Sequence, residues 1–168
     1  MADVFFEDAP EVQDIARDLI EKHHGRLVEA KIKYLFRFGN WEVKGNTIYG
    51  RAQKNSTKDK YLTGFDFVIL INGGVWVHLT EEQQEALVDH ELCHCTRSED
   101  SFGNPIWGIR DHDFTGFAAE VRRHGLWSTD LQLLKKAADE HHQLTLDFDE
   151  PMAVGAVSNI IPFGKELQ

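Results

Sequence analysis

The chain has 168 residues, a length that suits one domain able to bury about 70% of its unfolded surface. With 42% hydrophobic and 27% charged residues, eleven Phe and four Trp, it is not a disordered chain, and its densest apolar stretch, Phe65 to Ile71, is far short of the roughly 20 residues a membrane-spanning helix needs. A net charge of -10, from 18 Lys and Arg against 28 Asp and Glu, repels polyanions and disfavours nucleic acid as a partner.

The amino end, Met1-Ala2-Asp3-Val4-Phe5-Phe6-Glu7-Asp8, is acidic where a secretory signal would be basic, so a cytoplasmic protein is expected. Glu11 to His24 places Val12, Ile15, Ala16, Leu19 and Ile20 at helical spacing, and Gly25 stops the helix. Leu27 to Phe38 reads as a strand ending at Gly39-Asn40. Thr47 to Tyr49 and Gly50 to Gln53 are candidates for a second strand, and Lys54 to Lys60 reads as a solvated basic loop.

Phe65 to Ile71 carries the strongest strand signal. Asn72-Gly73-Gly74 then suggests a turn into a short strand, Val75 to Leu79, which would make a hairpin. Thr80 with Gln83 three positions later is a capping box, with Glu81 and Glu82 at the positive end of the dipole, so a helix is predicted through Cys95. Thr96 to Asp111 is polar and aperiodic and reads as a long connection. Helical spacing resumes over His112 to His124, and Ser128 is positioned to cap a last helix to about His142, with Leu131, Leu134 and Ala138 inward. The tail is read as irregular from about residue 145. The expected architecture is a single α+β domain over residues 1–168, with a small, mostly antiparallel sheet packed on helices.

His90-Glu91-Leu92-Cys93-His94 is an H-E-x-x-H pattern, and it falls within the helix predicted from Thr80. On a helix the two histidines lie about 40° apart and about 6 Å along the axis, so both rings can meet one ion. Glu91 is beside that face, able to act as a general base without being a ligand. Ala86, Leu87, Val88, Leu92, Cys93 and Cys95 make the helix apolar nearly all round, which predicts that the imidazoles are buried with it.

A hydrolytic zinc needs a third protein ligand. His112, eighteen residues after His94, is the candidate. Asp113 is the nearest rival, and Glu120 with His124 forms a further alternative. His141 and His142 read as surface residues of the last helix. Arg110, His124 and Tyr61 are candidates for stabilising an oxyanion. Cys93 and Cys95, one residue apart, do not suit an ordinary disulfide and read as small, reduced core residues. Trp76, Trp107 and Trp127 read as packing residues, with Trp107 also able to line a cleft.

His90 to Cys95, the long connection, and His112-Asp113-Phe114 running into Phe117 to Trp127 resemble the phage metallopeptidase family over about Ile15 to Trp127 and, more distantly, the SprT-like zinc proteases. In the SprT-like pattern a third histidine opens a helix and an aromatic follows. His112 with Phe114 and Phe117 matches it, although Asp113 stands where those proteins usually carry glycine. The resemblance implies a zincin-like fold, Zn2+ as cofactor, a viral gene and therefore the host cytoplasm, without naming a substrate.

The expected activity is a zinc-dependent peptidase with His90, His94 and His112 as metal ligands, Glu91 as general base, and a protein or peptide as substrate. An extended substrate is expected to add to a sheet edge at Val75 to Leu79 or Phe65 to Ile71. The alternative is a non-catalytic zinc-binding protein, for instance a viral factor that binds a host target. A zinc hydrolase of non-peptide amides and a nucleic-acid-guided protease are further rivals.

Overall fold

The computed structural model describes residues 3–113, 125–126 and 129–149, apart from the side chains of 130 and 145–149. Its contacts separate two compact units, Met1–His112 and Asp113–Gln168. The first contains, in chain order, β1 (Phe5–Asp8), α1 (Pro10–His23), a 3-10 turn (Gly25–Leu27), β2 (Ile32–Phe38), β3 (Glu42–Val43), β4 (Asn46–Thr47) and β5 (Gly50–Lys54). It continues through α2 (Thr57–Thr63), β6 (Phe67–Asn72), α3 (Gly73–Trp76), α4 (Glu81–His94), β7 (Cys95–Glu99) and β8 (Pro105–Ile109).

The class is α+β. A four-stranded sheet runs in the order β1-β2-β6-β5, antiparallel at both outer pairings and parallel where β2 meets β6. Tyr34 and Phe36 of β2 and Phe67, Ile69 and Ile71 of β6 are buried in one core with Val12, Ala16 and Leu19 of α1 and Val88 and Leu92 of α4. Each such side chain withdrawn from water stabilises the fold by about 1.5–3 kcal/mol. α1 forms because Pro10 opens it and its apolar residues recur at spacings of three and four. α4 forms behind the expected capping box, in which Thr80 Oγ1 accepts from Gln83 N–H and Gln83 Oε1 accepts from Thr80 N–H.

Four local expectations are corrected. The strand expected from Leu27 begins only at Ile32, because Leu27 closes the 3-10 turn. Lys54 to Lys60 is not a loop throughout: Ser56 Oγ accepts from Asp59 N–H and starts α2, which Gly64 ends at φ +78°. Phe65 to Ile71 and Val75 to Leu79 do not make a hairpin. The Asn72 side-chain carbonyl accepts from the N–H groups of Gly74 and Val75 and turns the chain into α3 instead, while its amide donates to Ile48 O. A Cβ on Gly73 would strike the Phe38 ring, so only glycine fits that turn. β6 is consequently an inner strand, and the edge beside α4 is β5 rather than either expected segment.

The fourth correction bears on the site. Thr96 to Asp111 is a β-hairpin, β7 paired with β8 in a register that sets Cys95 against Ile109. Asp100 closes its turn: Oδ1 accepts from Phe102 N–H and Asn104 N–H, and Oδ2 accepts from the Asn104 side-chain amide. This is the Asx-type turn chemistry that a reading by hydrophobic periodicity passes over. Cys95 is the C-cap of α4 and the first residue of β7, so the helix runs directly into the hairpin.

In the second unit α5 spans Thr129–Asp149, longer than expected, which replaces the irregular chain between about 145 and 149 with helix. Leu131 is buried and Leu134 half-buried, but Ala138 is exposed. The predicted helix over His112 to His124 and the proposed cap Ser128 lie outside the described residues, as does the tail from 150.

The Asn104 amide and the N–H groups of Phe102 and Asn104 hold the Asp100 carboxyl below its ordinary value of 3.8. A group depressed in this way stabilises the fold above its unfolded value and loses that contribution as the pH falls through its folded value. Asp100→Ala is therefore expected to lower the urea midpoint at pH 7, with the difference from wild type closing as the pH drops below 3.8. Urea titrations across that range check it.

Candidate metal centre

The α4 backbone presents His90 and His94 one turn apart, as their spacing requires. The hairpin supplies the third ring. Because β8 returns beside β7, Arg110 falls level with His94 and extends the ladder: its N–H donates to His94 O at 2.9 Å, and its own carbonyl accepts from His94 Nδ1 at 2.7 Å. Two residues later His112 reaches the same place. His112 Nε2 lies 3.1 Å from His90 Nε2, and His94 Nε2 lies 3.3 Å from it. The three form one cluster of potential ligand atoms.

Those separations test whether a metal fits. Imidazole nitrogens about 2.0–2.1 Å from a tetrahedral ion are about 3.3 Å apart, close to what is seen. The chemistry of the rings agrees. Only a protonated nitrogen can donate to the Arg110 carbonyl, so Nδ1 of His94 carries the proton and Nε2 of the neutral ring offers a lone pair. Burial pushes His90 below its ordinary value, and neighbouring charge on His94 and His112 pushes it further. His90 therefore favours the neutral form that can bind a cation.

The burial expected of this helix is only half right. His90 and His112 are exposed and His94 is half-buried, whereas Glu91 is 3% exposed. The helix turns only Val88, Glu91 and Leu92 fully inward, and Ala86 is exposed, so the apolar residues do not surround it. Burial is the main force that pushes the Glu91 carboxyl up. The charge His94 would carry if protonated, the nearby Ala52 backbone N–H and Arg51 pull the other way. Glu91 Oε2 is buried without a hydrogen-bond partner.

Two arginines secure the end of α4. Arg26 Nη2 donates to Leu92 O and its Nε to Cys95 O, both at 3.1 Å, and Arg110 Nε donates to Cys93 O at 2.7 Å. Together with the Arg110 N–H, they satisfy carbonyls that a helix terminus would leave unpaired, and their charge complements the negative end of its dipole. Arg110, expected as an oxyanion group, thus has its Nε on the helix terminus. Tyr61 is 89% exposed on α2, and His124 is outside the described residues. Sequence reasoning missed Arg26, Asp100 and the β5 residues beside Glu91. Asp100 alone had a readable signal, in the turn-forming run Asp100 to Asn104.

Asp113 opens the second unit, and Glu120 is outside the described residues. His141 and His142 are exposed on α5. Cys95 is fully buried and its thiol is pushed up to about 12 by burial, which fits an inert core residue. Trp107 is buried with its ring edge-on to Phe67, and Trp76 packs against Phe36. His24, Asp89 and Cys93 form a second cluster of potential ligands. Its His24 Nε2 and Asp89 Oδ1 are only 2.6 Å apart, a hydrogen bond rather than the spacing of two ligands on one ion, and this bond ties the end of α1 to α4.

The family described as "Putative phage metallopeptidase" matches residues 4–139. The chain belongs to this family. No curated protein and no solved structure matches it, so the more distant likeness to SprT-like proteases has no support from these comparisons. Membership in a metallopeptidase family implies a metal, and the described residues of this phage metallopeptidase bring together three histidines that could hold one. No described helix is long and apolar enough to cross a membrane.

A carboxyl that titrates above its ordinary 4.5 when folded costs stability once the pH exceeds that value. In metal-free protein, Glu91→Gln is expected to raise the urea midpoint at pH 7.5, with the gain fading as the pH approaches 4.5. Denaturation in the presence of chelator at both pH values checks the sign.

Proposed function

We propose that this protein is a zinc-dependent peptidase that hydrolyses peptide bonds of a protein or peptide substrate, working in the cytoplasm of a phage-infected host. The observation that carries the reading is the convergence of His90, His94 and His112 through Nε2 beside a buried glutamate on the same helix. Family membership supports it. Three imidazoles are a donor set suited to zinc and leave a fourth position open, as catalytic sites do.

His90, His94 and His112 would hold the ion, which when bound supplies Lewis-acid polarisation of a carbonyl and acidification of water. Glu91 is the general base. Its raised affinity for a proton, caused by burial, suits a group that must take a proton near neutral pH and then give it back. Glu91 accepts a proton from the attacking water as the oxygen bonds to the scissile carbonyl carbon. It then delivers that proton to the departing nitrogen as the C–N bond breaks, leaving a carboxylic acid and an amine. The buried surroundings of Glu91, with Gly50 beside it, hold the carboxylate in one place for both transfers. His94 is kept in the binding tautomer by the Arg110 carbonyl. β5 is the outer strand of the sheet beside Glu91, with α4 and β8 against it.

Two measurements on purified protein test this. Wild type is expected to hold about one equivalent of zinc and to cleave a peptide library. Glu91→Gln should keep the metal and lose turnover by about 10²–10⁴-fold, the usual range for a general base, and His112→Ala should bind zinc far more weakly. Unchanged turnover in Glu91→Gln would contradict the catalytic role and favour a metal-binding protein without turnover. Tight stoichiometric zinc in His112→Ala would remove the third ligand.

A further inference from the structure

Glu91 is buried where a sheet edge would normally project side chains against α4. The reason it fits is a residue with no side chain. An ideal Cβ built on Gly50 would lie 2.6 Å from Glu91 Oε1, 3.0 Å from its carboxylate carbon and 3.1 Å from Cγ. Real atoms do not approach so closely, and Glu91, 3% exposed, has little room in which to retreat. Gly50 is not in a left-handed conformation, so its backbone does not require glycine; the space does.

The register of β5 sets which of its residues lie beside Glu91. Asn72 N–H donates to Tyr49 O and Asn55 N–H donates to Asp66 O at the two ends of the β5·β6 ladder. Hydrogen-bonded pairs alternate in an antiparallel ladder, so Tyr49, Arg51, Gln53 and Asn55 direct their backbone groups to β6, and Gly50, Ala52 and Lys54 direct theirs to the outer edge. The outer edge of β5 at Gly50 and Ala52 thus lies beside Glu91, and Gly50, with no side chain on the face it shares with Ala52, makes room for the carboxylate.

We propose that Gly50 is a positioning residue: its missing side chain leaves the space against β5 in which the Glu91 carboxylate is held for proton transfer. The catalytic consequence rests on Glu91 being the general base; the packing itself does not.

A double-mutant cycle tests it on the full chain, with Gly50→Ala and Glu91→Ala made singly and together. Unfolding is followed in urea with chelator present, and zinc content and peptide-library turnover are measured separately. Gly50→Ala alone should destabilise the protein and lower kcat at least tenfold, with zinc content unchanged. In the Glu91→Ala background the same substitution should become neutral or stabilising, because the methyl enters space the carboxylate has left and alanine is favoured over glycine in a strand. The reversal of sign locates the contact at Glu91, and the fall in kcat at unchanged zinc content is what a merely structural glycine would not produce. A Gly50→Ala penalty equal in both backgrounds, or a Gly50→Ala protein as stable and active as wild type, would overturn the proposal. If wild type shows no turnover, the peptidase reading fails, and the stability cycle still decides whether Gly50 makes room for Glu91.

Discussion

The site depends on a reciprocal pair of hydrogen bonds between His94 and Arg110. The Arg110 N–H meets the last helical carbonyl of α4 and the Arg110 carbonyl takes the proton of the His94 ring. One residue is thereby both the continuation of a β-ladder and the orienting partner of a potential metal ligand. The register of the hairpin is fixed by its pairings from Cys95↔Ile109 to Glu99↔Pro105 and by the turn that Asp100 closes. A slip of one residue would turn Arg110 to the other face and carry His112 away from α4.

The distribution of burial is the second organising feature. The two helix histidines face outward, where an ion and a substrate can reach them, and the acid between them faces inward. Charge buried with an unpartnered oxygen destabilises a fold. Its placement in the space beside Gly50 raises its affinity for a proton, since a carboxylate held in a dry, narrow space binds one more readily than a carboxylate in water. The pattern belongs to functional sites, where local stability is commonly given up.

Much of this was legible in the sequence. The capping box at Thr80, the helical phase of His90 and His94 and the strand at Phe65 to Ile71 all rest on short-range signals, and each appears in the structure with boundaries shifted by a residue or two. The hairpin of Val75 to Leu79 fails because a single side-chain amide, Asn72, offers two backbone N–H groups a helical partner that the Gly-Gly run does not reveal. The β7–β8 hairpin was hidden for the opposite reason. Thr96 to Ile109 alternates weakly, and its pairing is set by a polar turn and by a helix that ends on its first residue. Even so, His112 lies with His90 and His94 in one group of potential ligand atoms. What could not be read is tertiary: that Arg26, 66 residues before Leu92, caps the helix, or that Gly50 makes room for Glu91.

The central claim is that the three rings share one metal ion. Anomalous diffraction from crystals grown with zinc and recorded on both sides of its absorption edge tests it most directly. The account predicts a single strong peak about 2.0–2.1 Å from Nε2 of His90, His94 and His112 alike. Well-ordered rings with no anomalous peak between them, or a peak bound elsewhere in the molecule, would contradict it.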